Sequence, residues 1–443
     1  MEYITEQERA MGMSQEPYGL ALNELTQAAE TGRDVSRLVE RFAAVDRRDD
    51  AELLRIYGEA LSVAAPDDWP HCERSDLPGI LETLPPSRDV GWPAPDLLAD
   101  RIRGAWFGRI AANMLGKPIE KGWSRAKIKG YLTDHDAYPL ADYVPLPDEA
   151  RAAEFGFQTH VGLTRGRVRG SVRDDDIDYT ILGLLLLETY GDEFTTRDVA
   201  YEWLRRFPVY QLYTAERAAY QNLIREVPIE EVGSYHNPYR EWIGAQIRAD
   251  IFGYVSPGDP RRAALLAYRD AVLSHRANGI FGEMWAAALI ATAFTAGSPE
   301  ESVELSLEHI PSTSRLAVEI RTVLGDYRAG RSWEECMNGL DRRHERMSWV
   351  HAINNSGAIA AGILWGRGDY TSTIGLTVQA GLDTDSAGAT AGSWAGAFVG
   401  YHNLPSHWVD PLEDRVSSAV FGVGSTSISA LVERTIAVLG RLR

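Results

Sequence analysis

The chain has 443 residues, of which 44% are hydrophobic and 24% charged, and its formal net charge at pH 7 is −18. This length and composition are typical of a globular protein with a large core. The acidic balance argues against a nucleic-acid-binding protein, because such proteins normally carry a basic face. Two isolated cysteines, Cys72 and Cys336, are too few for a disulfide framework or a zinc cluster, which fits a reducing compartment.

The sequence also shows no pattern for export or membrane insertion. The first residues, MEYITEQERAMGMSQEP, have mixed charge and no apolar core, unlike a secretory signal. The longest nearly apolar stretch, residues 284–297, is shorter than the ~20 residues that a membrane-spanning helix needs. We therefore predict a cytoplasmic protein with neither a membrane nor a nucleic-acid partner.

The N-terminal part differs in texture from the rest of the chain. Residues 21–64 alternate charged and apolar positions at helical spacing, which predicts two or more amphipathic helices. Seven prolines then occur between Pro66 and Pro95, a composition typical of a connector. We expect a helical extension and connector over residues 1–95 and a main domain over residues 96–443.

The main domain is predicted to be all-α, because long helical patterns follow one another without strand-like alternation. The region between residues 121 and 170 is rich in loops, and forms either a flap or a surface insertion. The helical patterns cover residues 97–115, 179–190, 196–206, 261–274, 282–295, 299–308, 313–327, 353–365, 370–380 and 386–401.

Two of these helices carry glycine at intervals of four residues. The run GLDTDSAGATAGSWAGAFVG places glycines at 388, 392, 396 and 400, and GAWFGRIAANMLG places small residues at 104, 108, 112 and 116. A glycine within a helix costs about 1 kcal/mol relative to alanine. Residues four apart share one helix face, so each stripe predicts a close approach of another backbone. We expect the two stripes to meet.

Acidic residues open two helices. Asp174, Asp175 and Asp176 precede a strongly apolar helix, while Asp383 and Asp385 precede the glycine-rich one, followed by the hydroxyl of Ser386. A single run of this kind is most simply a solvated helix cap. Two such runs favour a site for Mg²⁺, Ca²⁺ or Mn²⁺, because these ions prefer oxygen ligands. Five close carboxylates can hold two ions.

Three motifs, GAWFGRIAANMLGKPIE, RDDDIDYT and GLDTDSAGATAG, occur in the order found in the ADP-ribosylglycohydrolase family, which the chain resembles from about Asp96 to its C-terminus. The resemblance implies a compact all-α domain that holds two magnesium ions, or manganese, between the acidic clusters. It also implies cleavage of an N- or O-glycosidic bond at C1 of an ADP-ribose moiety.

The resemblance also assigns residue roles. It implies that Glu120 is the acid/base or ribose-binding carboxylate, with Asp176 or Asp383 as an alternative base, and that Arg248 belongs to the substrate loop. Gly279 and Gly282 let a backbone approach a ligand or simply make a turn. The aromatic residues Tyr235, Trp242, Tyr254 and Phe281 either stack on an adenine or belong to the core. The predicted metal ligands are Asp175, Asp176, Asp383, Asp385 and Ser386, which match the family's residues, together with the adjacent Asp174.

Departures from the family pattern leave three functions open. Asp174 stands where the family usually has threonine, and Ala387 where asparagine is frequent. The first hypothesis is a metal-dependent glycohydrolase for an ADP-ribosylated protein. The second is a glycohydrolase for a small nucleotide or nucleoside of metabolism or biosynthesis, with no protein target. The third is a module that binds metal and ADP-ribose without turnover.

Overall fold

The computed structural model describes residues 16–88, 90–157 and 160–442. Within these ranges the chain forms twenty-one α-helices and one two-stranded antiparallel sheet, which confirms the all-α prediction. The N-terminal run that lacks a secretory pattern lies, up to residue 15, outside the described residues. None of the described helices combines the length and apolarity that crossing a membrane requires.

The elements follow one another through short loops and 3₁₀ turns. The N-terminal helices are α1 (Pro17–Glu30), α2 (Ser36–Ala44), α3 (Asp50–Ser62) and α4 (Leu77–Leu81). The main domain contains α5 (Pro95–Gly116), α6 (Arg125–Asp134), α7 (Ala152–Phe155), α8 (Asp175–Tyr190), α9 (Thr196–Arg206), α10 (Thr214–Ile224), α11 (Asp250–Tyr254), α12 (Pro260–Ala271), α13 (Asn278–Ala293), α14 (Pro299–Ser306), α15 (Arg315–Arg328), α16 (Trp333–Arg343), α17 (Ala352–Gly366), α18 (Tyr370–Gln379), α19 (Thr384–Val399), α20 (Ser406–Val409) and α21 (Ile428–Arg441), with strands β1 (Arg415–Ser417) and β2 (Ser425–Ser427).

All ten predicted helical patterns correspond to helices, and α9 has the predicted ends. The longer helices α6, α10, α16 and α21 and the short helices α4, α7, α11 and α20 were not predicted. Local sequence explains many of the helix starts, because proline stands in the first turn of α1, α5, α12 and α14. Capping boxes begin α9 and α16, where Thr195 pairs with Asp198 and Ser332 with Glu335.

The centre of the main domain is the contact between α5 and α19, and the predicted meeting of the two glycine stripes is confirmed. A β-carbon on Gly104 or Gly108 would lie under 3.0 Å from the carbonyl oxygen of Gly396 or Gly392, respectively. A β-carbon on Gly388 would lie 2.9 Å from the Ala112 oxygen. The backbones therefore touch along most of the two helices, at a distance that only glycine permits.

The N-terminal helices have a hydrophobic cluster of their own, separate from that of the main domain. It is built around Leu20, Leu25, Leu53 and Ile56, all nearly or fully inaccessible. Polar contacts then hold α1 against the main domain. The domain boundary near Asp96 stays a prediction.

The contacts between α1 and the main domain are charged and buried. The guanidinium of Arg240 donates from both terminal nitrogens to Glu24, each over 2.7 Å, and Gln27 donates to Glu241 over 2.6 Å. The backbone nitrogen of Ser348 donates to Glu30 over 2.9 Å. These specific pairs fix one orientation of the extension, since breaking any of them would leave a buried charge or dipole unpaired.

Replacing Gly396 by alanine should destabilise the protein although alanine is the better helix former. The new β-carbon would overlap the carbonyl oxygen of Gly104, and such overpacking typically costs about 1–3 kcal/mol. The matched change Gly325→Ala, in α15 with no atom within 4 Å of the new carbon, should instead raise the free energy of unfolding by up to about 1 kcal/mol. Urea denaturation followed by circular dichroism measures both. Equal effects at the two positions would contradict the close-packing role.

Candidate active site

Three helix ends bring the predicted carboxylates together. The start of α8 supplies Asp174, Asp175 and Asp176, the start of α19 supplies Asp383 and Asp385, and the 3₁₀ turn after α5 leads to Glu120. Ligand atoms of Glu120, Asp383 and Asp385 lie within 4.8 Å of one another, as do those of Asp174, Asp176 and Asp385. We call these six residues the acidic cluster.

Hydrogen bonds hold the three helix ends in register. The hydroxyl of Thr384 donates to the carbonyl oxygen of Gly116 over 2.9 Å, which joins the start of α19 to the end of α5. The Asn113 amide donates to Asp176 over 3.1 Å and to Asp174 over 3.3 Å, which joins α5 to α8. The cluster therefore depends on the packing of α5.

Arg109 holds the first turn of α8 in place through its backbone. It is fully buried on α5, pairs with Asp250 over 2.7 Å, and donates to the backbone oxygens of Asp176 and Ile247 over 2.6 and 2.7 Å. The sequence analysis did not single out Arg109 or Asn113. Their signal was two polar residues four positions apart, on one face of an otherwise small and apolar helix.

Asp174 caps α8 as well as belonging to the cluster. Its Oδ1 accepts from the backbone nitrogen of Asp176 over 3.0 Å, which is the ordinary role of an N-cap aspartate. However, Asp174 is 1% exposed and Asp176 2% exposed, whereas the simple cap interpretation expected solvated side chains. The structure thus shows a cap whose carboxylates are directed inward.

Crowding and burial favour protonation of most of these acids. Burial, with the charge of Asp385, raises the pKa of Glu120 to about 8. Burial and the neighbouring Asp174 raise the pKa of Asp175 to about 7. Burial and a neighbouring carboxylate, Asp174 for Asp176 and Asp385 for Asp383, raise the pKa values of these two acids well above the ordinary range. The negative charges of the cluster are therefore only partly compensated.

Lys117 is the residue of this site that the sequence analysis missed. Its Nζ lies 2.6 Å from Asp174, 2.7 Å from Asp385 and 3.2 Å from Glu120, and its side chain is only 17% exposed. Burial alone would lower the pKa of Lys117, but the three carboxylates raise it. In return the ammonium holds the pKa of Asp174 low in spite of its burial. The sequence feature that could have indicated this role is the position of Lys117 directly after Gly116, the last glycine of the stripe on α5.

The donor set fits a hard divalent cation. Every member of the two groups offers carboxylate oxygen, and Oδ1 of the buried Asp176 has no hydrogen-bond partner. Ser386, 5% exposed, adds a hydroxyl at the start of α19. The residues therefore suit Mg²⁺, Mn²⁺ or Ca²⁺ better than zinc, which prefers nitrogen and sulfur ligands. The ligand roles themselves stay predictions.

The cluster forms the floor of a cavity of about 630 Å³. This volume lies within the range of small-molecule binding pockets. Aromatic residues in its wall are Tyr213, Trp242 and Trp349, and α1 of the extension contributes Asn23 and Thr26. Basic residues Arg173, Lys121 and Arg346 also face it, together with His160. Burial lowers the pKa of His160, so this imidazole is neutral near pH 7.

The residues predicted to bind substrate, Arg248, Gly279, Phe281 and Gly282, do not line the wall of this cavity. Arg248 is 2% exposed, and its guanidinium contacts Asp270, donates to Glu216 over 2.8 Å and donates to Ser274 over 3.0 Å. Because Glu216 itself lines the cavity, Arg248 supports the wall from behind. Direct contact between Arg248 and a substrate therefore has no support from this geometry.

The two glycines and two of the four aromatics of the prediction also belong to the interior. A β-carbon on Gly279 would overlap the carbonyl oxygen of Arg240, and one on Gly282 would lie 3.1 Å from Gln246, so both serve packing. Phe281 and Tyr254 are fully buried in the core. Of the four aromatics proposed for stacking, Trp242 lines the cavity, whereas Tyr235, 43% exposed, lies outside its wall.

Fold and site together define an all-α protein with a buried carboxylate cluster, suited to a hard cation, under a ligand-sized cavity. Comparison with curated proteins gives the ADP-ribosylarginine hydrolase Tri1 of Serratia proteamaculans (strain 568), 39% identical over 57 residues. That match covers 12% of this chain and 16% of the relative, so it spans a small part of either protein. A solved structure described as an ADP-ribosylglycohydrolase-related protein complex shares 19% identity, with a TM-score of 0.49 over 79% of this chain and 100% of that one.

The family comparison covers far more of the chain. The sequence model of the family described as ADP-ribosylglycohydrolase matches residues 94–441, more than three quarters of the chain. The chain therefore belongs to the ADP-ribosylglycohydrolase family, which confirms the resemblance read from the three motifs. Its members are hydrolases that act on glycosidic bonds.

Replacing Asp385 by alanine should weaken binding of Mn²⁺ by at least about 100-fold, because its carboxylate is shared by both candidate ligand groups. Asp178→Asn is the matched control. Asp178 belongs to the same acidic run, but its carboxylate pairs with Arg173 over 2.7 Å and accepts from the backbone nitrogen of Ala419 over 3.0 Å, away from the cluster. Titration with Mn²⁺ followed by electron paramagnetic resonance gives the affinities. Unchanged binding in the Asp385 variant would refute the site assignment.

Proposed function

We propose that this chain is a metal-assisted glycohydrolase that cleaves the bond at C1 of a ribose in an ADP-ribose-containing substrate. The observation that carries the proposal is the acidic cluster itself. Three helix ends converge to place six carboxylates on the floor of one cavity, at a cost in repulsion and desolvation that packing alone does not require. Membership of the family supports the reaction class.

The metal ion is proposed to be held by Glu120, Asp383 and Asp385, with Asp174 and Asp176 as the other candidate ligands. When bound, a Mg²⁺ or Mn²⁺ ion supplies a Lewis acid that orients ribose hydroxyls and lowers the pKa of a water molecule. The ion also offsets the mutual repulsion of the acids around it.

The side chains of the cluster contribute in two further ways. Glycoside cleavage passes through a transition state with positive charge on the sugar ring, which neighbouring carboxylates stabilise. Glu120 lies in the cavity wall, and burial raises its pKa to about 8 in the absence of a metal ion, whereas binding to the ion would keep its carboxylate ionised. Its proposed role is therefore that of a ribose-binding carboxylate or a base. Asp176 and Asp383 remain the alternative bases.

The cavity wall favours a small substrate over a protein. Asn23 and Thr26 project from α1, which the Arg240–Glu24 pair and the Glu30–Ser348 hydrogen bond hold against the main domain. The segment from residue 345 to 350 lines the cavity beside them. Because this rim is built from structured, anchored elements, it restricts access for a bulky carrier. Two indoles, of Trp242 and Trp349, offer surfaces on which a base can stack.

The test compares hydrolysis of the same ADP-ribosyl-arginine bond in a small molecule and in a modified protein. Purified protein with Mg²⁺ is incubated with ADP-ribosyl-arginine and, separately, with a protein ADP-ribosylated on arginine, and released ADP-ribose is quantified. We expect hydrolysis of the small molecule and at least tenfold slower release from the protein. The linkage is chosen because one relative is an ADP-ribosylarginine hydrolase. Faster release from the protein carrier would contradict the small-substrate proposal.

Asp383→Asn should lower kcat/KM by at least about 100-fold on the substrate that is turned over, because the cluster loses a charged oxygen at its centre. Asp68→Asn, at an exposed position of the connector, is the matched charge change and should leave the rate unchanged. Chelation by EDTA should abolish turnover, and added Mg²⁺ or Mn²⁺ should restore it. Tight binding of ADP-ribose without product from any carrier would indicate a binding module instead.

The role of α1 is tested by adding bulk to its cavity face. Thr26→Trp should raise KM for the small substrate by about tenfold, with a smaller change in kcat, because the indole narrows the cavity away from the carboxylates. The matched variant Leu22→Trp places the same ring one turn earlier on α1, at a position 41% exposed and outside the cavity wall. Equal kinetics for both variants would show that α1 does not border the bound substrate.

A further inference from the structure

Lys117 reaches the middle of the acidic cluster because of how α5 ends. A β-carbon on Gly116 would lie under 3.0 Å from backbone atoms of Thr384 and Asp385, so the last turn of α5 lies directly on the first turn of α19. The next side chain along the chain is that of Lys117, and it enters the space between the three helix ends. A lysine ordinarily extends its ammonium into water, whereas this side chain is mostly buried.

The ammonium group makes the contacts that a bound cation would make. It approaches one carboxylate from each of the three helix ends, Asp174 at 2.6 Å, Asp385 at 2.7 Å and Glu120 at 3.2 Å. Three partners match its three protons. A buried ion pair of this kind is costly to break, since removing one partner leaves an uncompensated charge. Lys117 is thus a fixed positive charge at the centre of the cluster.

Asp174 is fully engaged by the protein. Its Oδ1 accepts from the backbone nitrogen of Asp176 and from Asn113, and its Oδ2 pairs with Lys117. The sequence had marked Asp174 as an additional negative charge, and the structure supplies its counter-ion. The ligand group that contains Asp174 therefore already holds a cation in the form of this ammonium.

One ammonium does not balance six carboxylates, and the structure shows where charge is still needed. Asp383 is 6% exposed, and within the described ranges no lysine or arginine lies within ion-pair distance of its carboxylate. Glu120 is the most distant of the three partners of Lys117 and keeps its second oxygen for another ligand. Room for one further cation remains on the side of Asp383.

We propose that the ammonium of Lys117 takes the place of one of the two expected cations, so that the site binds a single divalent ion. The ligands of that ion are Glu120, Asp383 and Asp385, with Ser386 adjacent. The inference rests on the metal binding proposed above but not on the reaction. It replaces the expectation of two ions that the number of carboxylates had suggested.

The test counts bound ions without reference to turnover. Purified full-length protein is dialysed to equilibrium against Mn²⁺ well above its dissociation constant, and protein-bound metal is measured by mass spectrometry. The wild-type chain should bind one ion, and Lys117→Met should bind two, because the vacated position is again surrounded by Asp174, Asp176 and Asp385. As a control, Lys121→Met removes an exposed lysine four residues further along the chain and should leave the number of bound ions at one.

A second variant protects the test against a folding defect. The double change Lys117→Met with Asp174→Asn removes the pair together, keeps the net charge of the cluster, and retains a good helix cap. It should also bind two ions, with the second held more weakly, and circular dichroism with thermal melting shows that each variant is folded. Two ions or none in the wild type, or one ion in both folded Lys117 variants, would overturn the inference. One ion in a wild type without any turnover would support it while refuting the proposed reaction.

Discussion

The contact between the backbones of α5 and α19 is the constraint on which the rest of the structure depends. At Gly104, Gly108 and Gly396 no larger residue fits, and the hydrogen bond from Thr384 to Gly116 closes the end of the interface where the site lies. Since α5 also carries Arg109 and Asn113, which hold the first turn of α8, the same helix positions both acidic runs. A change in helix spacing would therefore move the carboxylates relative to one another, so stability and site geometry are coupled in this fold.

Electrostatics gives the site its second constraint. Carboxylates that are buried together favour protonation, and the raised pKa values of Glu120 and Asp175 record that tendency. A cation offsets it, and the chain supplies one cation covalently in Lys117. The folded protein thus combines a permanent positive charge with a remaining demand for a second one. Lys117 thus supplies the part of the charge balance that belongs to the protein, and the remainder is the part that we propose for a metal ion.

The extension adds a constraint on access rather than on chemistry. Its own hydrophobic cluster makes α1 to α3 a folded unit, and buried pairs such as Arg240 with Glu24 fix that unit against the main domain. Asn23 and Thr26 then complete a cavity wall that begins with residues of the main domain. In the proposed function, reaction class and substrate size therefore depend on different parts of the chain, the first on the acidic cluster and the second on the rim.

The all-α class, most of the helices, the pairing of the two glycine stripes and the convergence of Asp174–Asp176 with Asp383 and Asp385 could be predicted from the sequence. These features follow from local periodicity, helix-end chemistry and motif order, all of which are written along the chain. Which side chains reach the cavity could not be predicted, because that depends on contacts between distant segments. In the structure Arg248, Gly279, Phe281 and Gly282 lie in the interior and do not line the cavity, whereas Trp349 and Thr26 do. The structure also showed that Lys117, an ordinary lysine in the sequence, lies among three carboxylates, because the last turn of α5 packs directly on the first turn of α19.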